Sequence, residues 1–507
     1  MLGGPIIRTD DRNSRLFLWL ILAAGAAARI ITALIADNIN DPDEIFQILE
    51  QAHRVVFGYG IIPWEYRLSA RSWLVPGIMT IFLYPFKLLG LGNPNIYIPG
   101  MKIIMSLLSM SIVLSAYYIG KRLLSHRAGL WAAFFCAVWY EIIYFSIRPL
   151  SEVWAAIFFM AALALSLKTE SHRALIVGGF LAVMTAAVRI NYVPAAAVLI
   201  LLIAVRLDSA ARLKYLIGAA AAVVFVGLFE TVTLGIPFIS YVNFYEYGKT
   251  LYMAGPFGSS FSFEYLMSMA CASLFMYWLI FAGGIVFWRD NRLLTVIIIV
   301  VLVSHILIPA KKHELDYRSI FVIIPVLLVS AGLIADRIMA YLKPFRLLHI
   351  LLILIIPAVS VVGAMAALPF QNKIYHNKVY TAYSNSIFHK NGRLQAYRYL
   401  YDLDNIVTVF DNSGEWYYGG GYYYLHRNVP LYLKATPPPS PKYVSHLLSQ
   451  NRHVIVSGIR YNKSFGEFYL HTRPDTGYIY PVDSTFTCEI PQAGIDDSLN
   501  ISGGQEK

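Results

Sequence analysis

Four consecutive residues, Asp41-Pro42-Asp43-Glu44, put three carboxylates within about one helical turn, soon after an apolar run at 16–36. Carboxylates at that spacing can do two jobs. Asp41 can cap a helix, with Pro42 suited to the first position and Glu44 at the third completing a capping box. A carboxylate in a first turn is also kept ionised by the helix dipole, which suits a general base. Asp41-x-Asp43 further has the form of an Asp-x-Asp pair that holds a metal and a sugar nucleotide. Nucleotide sugars belong on the inner side of a membrane, however, and the charge pattern below puts the tetrad outside.

Three other stretches carry chemistry. Trp64-Glu65-Tyr66, with Arg67 and Arg71 nearby, can anchor at a membrane interface or stack on a sugar. In the turn Phe145 to Glu152, Arg148 and Glu152 can pair with each other. Arg189, at an outer helix end, can simply snorkel to the interface. Either arginine can instead hold a phosphate bidentately. The run Lys311-Lys312-His313-Glu314-Leu315-Asp316-Tyr317-Arg318 puts three basic side chains and a histidine in a short outer loop, where Lys and Arg should be scarce. A phosphate at the membrane surface is a natural partner, and a self-satisfied cluster with Glu314 and Asp316 is the alternative.

The elements that must position these residues are mostly membrane spans. The chain has 507 residues, is 57% hydrophobic and is only 14% charged, against about a quarter charged in soluble domains. The net charge of +11 is spread in short clusters between apolar runs, which fits the positive-inside rule and gives no stripe for nucleic acid. Apolar runs at 16–36, 98–120, 128–146, 152–167, 174–188, 193–205, 213–234, 266–288, 293–309, 320–336 and 347–367 predict about 11 spans, the first an anchor and not a cleaved signal. The stretch 74–90, with Pro76 and Pro85, reads as re-entrant or interfacial. With the N-terminus inside, the inner connections hold the basic clusters. The long outer ones are then 37–73, 235–265, 310–319 and the tail from 369. Ile45, Leu49, Ala52, Val55 and Val56 predict a helix lying on the membrane surface.

Beyond 369 the chain turns polar and tyrosine-rich. Strands are expected at 406–410 and 453–457, with loops at Gly419-Gly420-Gly421 and Pro437-Pro438-Pro439. The expected division is a transmembrane domain at 1–368 and a small extracytoplasmic α/β domain at 369–507 with a disordered tail. Cys136, Cys271 and Cys488 make neither a disulfide framework nor a zinc spacing.

The tetrad, followed by the run Gln47 to Tyr59, by Trp64-Glu65-Tyr66 and by Arg71-Ser72, is similar to the family-22 glycosyltransferases. These include the mannosyltransferases of glycosylphosphatidylinositol and N-glycan precursor assembly and their bacterial relatives. Weaker echoes follow at Arg148-Pro149-Leu150-Ser151 with Glu152, at Arg189, from Phe257-Gly258 to Tyr265, and in the basic loop. Ile190-Asn191 replace the usual residues after Arg189. A proline usual in the loop from Phe257 is missing, and the spacing of the basic loop is altered, so either Glu314 or Asp316 could match the family's acid.

The resemblance implies the polytopic α-helical GT-C fold. It also implies a polyprenyl-phosphate sugar donor, usually dolichyl-phosphate-mannose, and inversion at the anomeric carbon without a metal or other cofactor. Asp43 would take the proton of an acceptor hydroxyl, with Glu44 and Asp41 as alternatives. His313, Arg318 and Lys312 would steady the departing phosphate, helped by Arg189 and Arg148. Trp64, Glu65, Arg71 and Glu152 would face the acceptor or sugar. The expected partners are the lipid-linked donor, a glycan or glycolipid acceptor and the bilayer, with no nucleic acid. The expected place is a bacterial plasma membrane with the site outside, or the endoplasmic reticulum with the site in the lumen. Two other readings remain: transfer of a pentose or aminosugar on the same fold, and a lipid-linked sugar flippase. The charges collect in outer loops and no repeat is visible, which disfavours transport.

Overall fold

Long apolar segments far exceed what a soluble core can absorb, and the fold is accordingly built almost entirely of helices. The computed structural model describes residues 11–248, 259–260, 264–307, 310–311, 317–341, 354–361, 391–402, 409–411, 419–429, 431–433, 463–465 and 468–470. Among these described residues five helices are long and apolar enough to cross a membrane: Asn13–Ile35, Pro94–Leu123, Ser209–Leu234, Trp288–Leu307 and Ile323–Tyr341. Shorter apolar helices include Leu74–Leu88, Ser151–Ser166 and His172–Val188. Leu74–Leu88 has 15 residues, about 22 Å of helix, and so falls short of a bilayer's hydrocarbon thickness.

The chain divides into two compact units. The first comprises Met1–Leu34, Ser69–Val75 and Lys102–Asn385; the second comprises Ile35–Leu68, Pro76–Met101 and Ser386–Lys507. In the first unit the helices start where short polar residues cap them. Ser125, Ser171 and Asp208 accept from the backbone N–H of Ala128, Ala174 and Ala211. Helices His172–Val188 and Ser209–Leu234 touch backbone to backbone. A Cβ on Gly179 would stand 2.0 Å from the Tyr215 carbonyl oxygen, and one on Gly218 would stand 1.9 Å from that of Ile176. Small residues permit such close packing.

Two expected spans are broken. The run 128–146 is helix His126–Val138, then an extended Trp139, then helix Tyr140–Phe145. The break frees carbonyls that would be costly to leave bare in lipid. Arg29, fully buried on helix Asp11–Ile35, donates to the carbonyls of Cys136 (2.9 Å) and Ala137 (3.0 Å). Ser360 donates to the Val138 carbonyl at 3.0 Å and accepts from the Tyr140 N–H at 2.7 Å. The run 266–288 splits into Glu264–Ala272 and Met276–Val286, with Leu274 and Phe275 at positive φ between them. Of the expected span 347–367, residues 354–361 are helical and the rest lies outside the described residues.

In the second unit the expected surface-lying helix is buried instead. Glu44–Leu49 forms a π-helical turn and Glu50–Phe57 continues as α-helix, with every residue from Glu44 to His53 buried and Val55 exposed. The reason is that its polar side chains, read as the solvent face, all find partners inside the unit. Among the described residues the C-terminal stretch holds helix Gly392–Asp402, the short helix Gly421–Leu425 and two strand pairs. Val409–Asp411 runs parallel to Leu431–Leu433, and Lys463–Phe465 forms a hairpin with Phe468–Leu470. The expected strand at 453–457 and Cys488 lie outside the described residues.

Candidate active site

The tetrad begins the buried helix much as its residue types dictate. The Asp41 carboxylate accepts from the Asp43 N–H at 2.9 Å, and the Glu44 carboxylate reaches back to the Asn40 N–H at 2.8 Å. The capping box therefore closes one residue earlier than the sequence suggests. Asp43, half-buried in the first turn, accepts a 2.6 Å hydrogen bond from the Gln47 amide. The same nitrogen donates to Glu65 at 2.7 Å. Glu65 sits in the short helix Trp64–Arg67, and the hydroxyl of its neighbour Tyr66 donates to the Gln47 carbonyl at 2.7 Å. Trp64, on the same turn, is half-buried.

Further along this helix, Glu50 is fully buried and accepts from three backbone N–H groups: Ile61 at 2.8 Å, Tyr422 at 3.2 Å and Tyr423 at 2.8 Å. Burial pushes its carboxyl up to about 7, an effect that the three donors only partly offset. Gly421 has φ +55°, and a Cβ there would stand 2.7 Å from a Glu50 oxygen, so only glycine lets the Tyr422 and Tyr423 amides approach the carboxylate. His53 meets His426 at 2.9 Å between ring nitrogens. Burial drives His53 down to about 3 and His426 down to about 4, so both are neutral at ordinary pH.

The first unit holds a different constellation. Glu152, in the first turn of helix Ser151–Ser166, is 1% exposed. Arg189, just past helix His172–Val188, reaches it at 3.1 Å, and Arg318, in the turn Tyr317–Ile320, reaches it at 3.3 Å. Three segments far apart in sequence thus converge on one carboxylate. Tyr192 donates to the Arg318 carbonyl at 3.4 Å. Arg318 is buried and Arg189 is 12% exposed, so two guanidiniums are held against one buried carboxylate, groups of the kind that bind a phosphate. Arg148, also buried, stacks 4.2 Å from the Tyr144 ring centre. Among the described residues no ion pair joins it to the Glu152 that sequence proximity suggested. Arg71 lies over Phe244 at 5.5 Å. Lys312 and His313, and the stretch at Phe257-Gly258, fall outside the described residues.

A family model for Alg9-like mannosyltransferases matches residues 19–426. The chain belongs to that family. Relatives include the GPI mannosyltransferase 3 of Yarrowia lipolytica, 26% identical over 321 residues that make up 62% of this chain and 62% of that one. Mannosyltransferase APTG1 of Arabidopsis thaliana is 34% identical over 123 residues, 24% of this chain and 21% of that one. The chain thus matches less than two thirds of the length of either relative. Among solved structures, ArnT from Cupriavidus metallidurans bound to undecaprenyl phosphate superposes with a TM-score of 0.54 at 11% identity, covering 84% of this chain and 87% of that chain. The fold of this family member is therefore the GT-C fold of a polytopic membrane protein.

Sequence reasoning singled out Asp41, Asp43, Glu44, Glu65, Arg189, Arg318 and Glu152, and each is tied into one of these two constellations. It passed over Gln47 and Glu50. The available signal was spacing: Gln47 lies one helical turn from Asp43, and Glu50 one turn further, on a helix whose apolar face drew attention away from its polar one.

Proposed function

We propose that this protein is an inverting glycosyltransferase that moves mannose from a polyprenyl-phosphate donor to a hydroxyl of a glycan or glycolipid acceptor. The observation that carries the reading is the convergence of Arg189 and Arg318 on Glu152, two guanidiniums brought to one place by distant segments in a member of a mannosyltransferase family. In the reaction, the acceptor oxygen bonds to the anomeric carbon as its bond to the phosphate oxygen breaks. The acceptor proton passes to Asp43, and the electron pair leaves on the polyprenyl phosphate. Fixed guanidiniums at Arg189 and Arg318 lower the cost of charge growing on that phosphate, with Lys312, His313 and Arg148 as further donors. Asp43 is preferred over its neighbours because Asp41 and Glu44 already serve the helix start. Trp64, Glu65 and Arg71 are assigned to the acceptor or sugar.

The cationic arrangement does the work that a metal does elsewhere, so the reading needs no metal. In this reading the site faces the extracytoplasmic side of a bacterial plasma membrane or, alternatively, the lumen of the endoplasmic reticulum. The test is transfer from radiolabelled polyprenyl-phosphate-mannose into a lipid extract, by purified protein in EDTA. Labelled product is expected, and Asp43→Asn should lower turnover by about 10²–10⁴-fold while donor binding persists. Product only with another polyprenyl-phosphate sugar would replace mannose in this reading. No product with any lipid donor would overturn it.

A further inference from the structure

We infer that Gln47 is a positioning residue that fixes the Asp43 carboxylate through a single amide nitrogen shared with Glu65. The inference rests on the reading of Asp43 as the base. Its geometry is specific. The Gln47 side chain is 6% exposed, and its nitrogen donates to Asp43 at 2.6 Å and to Glu65 at 2.7 Å. An amide nitrogen has two hydrogens, and here each goes to a different carboxylate. The two acids are therefore at most about 5 Å apart, where like charges would otherwise push each other away. A neutral donor between them stabilises both charged forms without supplying a cation that would quench a base.

Two features hold Gln47 itself in place. Its carbonyl accepts the Tyr66 hydroxyl at 2.7 Å, which ties the Gln47 backbone to the helix that carries Glu65. It also sits in the π-helical turn Glu44–Leu49, whose end is marked by the Glu50 N–H donating to the Ile45 carbonyl. A π turn is wider than an α turn and is often found at functional sites. Asp43 and Gln47 still align along the helix, while Glu50 and Gln51 take up other partners. The base is thus braced both from its own helix and from a separate one. That is what a proton acceptor requires if it is to meet a hydroxyl at a set angle.

The test uses the full-length purified protein. Gln47→Met keeps an unbranched side chain of similar length and removes the donor. Turnover should fall by about 10²-fold, the scale of a 1 Å misplacement, while KM for donor and acceptor stays within about 3-fold. The thermal midpoint is recorded for each variant to establish that it is folded. In an Asp43→Asn background, Gln47→Met should lower the residual rate by less than about 2-fold, because a group that acts through Asp43 has nothing left to position. If Gln47→Met does not fold, Gln47→Asn carries the same comparison, since its amide is one methylene too short to reach both acids. Unchanged turnover in Gln47→Met, a rise in KM alone, or a full additional loss in the Asp43→Asn background would each overturn the inference. Full activity of Asp43→Asn by itself would instead overturn the assignment of the base, so the two failures are separable.

Discussion

The two polar constellations both keep charge under cover, but they balance it in opposite ways. Around Glu152 the balance is ionic, with two guanidiniums closing on one carboxylate from separate helix ends. Around Asp43, Glu65 and Glu50, one side-chain amide and three backbone N–H groups reach the three carboxylates. The difference teaches that burial does not dictate how a charge is satisfied.

The comparison breaks most readily at Glu152. Removing the buried carboxylate in Glu152→Ala takes away the anion that both Arg189 and the buried Arg318 reach, and should cost about 3–5 kcal/mol. The thermal midpoint in detergent measures this, and a loss below about 1 kcal/mol would mean that the ionic balance is not what holds these segments together.

A pH series sharpens the other side of the comparison. The Glu50 carboxyl titrates near 7 when folded, above its ordinary value of 4.5. The folded state therefore holds a proton that the unfolded state releases, and this stabilisation is present below about 4.5 and lost as pH rises through 7. His53 and His426 have the opposite sign. Their folded values lie near 3 and 4 against 6.5, so their contribution is present above 6.5 and lost as pH falls. Glu50→Gln removes only the first term, worth up to about 3 kcal/mol. Thermal midpoints between pH 5 and 8 should then fall more steeply toward acid in the variant than in the parent. Parallel curves would mean that Glu50 is not protonated on folding.

The smallest effect tests burial itself. Arg122 and Glu170 form an ion pair in the first unit with side chains 37% and 55% exposed. Solvent screens such pairs, so Arg122→Ala should change stability by less than about 0.5 kcal/mol. A loss comparable to that of Glu152→Ala would erase the distinction between buried and exposed charge on which the comparison rests.

Most of the helical framework was legible because it depends on local properties. Apolar runs marked the helices. Asp41 and Glu44 likewise marked the start of the buried helix. The breaks at Trp139 and at Phe275 were not legible. Continuous hydropathy reports transfer from water and is blind to whether Arg29 or Ser360 waits to take the freed backbone groups.

The sequence by itself determined that this is a membrane protein of many apolar helices, because length and hydropathy are sums over neighbouring residues. It also offered residue types suited to a base and to phosphate ligands. Only the tertiary structure decided their company. Glu50 finds the amides of Tyr422 and Tyr423, more than 370 residues away. Glu152 takes Arg189 and Arg318 and not Arg148 as ion-pair partners. Gln47 joins Asp43, one turn away, to Glu65 on a separate helix. A hydrogen bond or ion pair needs its atoms within about 3–4 Å at a suitable angle. Where two distant segments cross is set by packing, which no local pattern encodes.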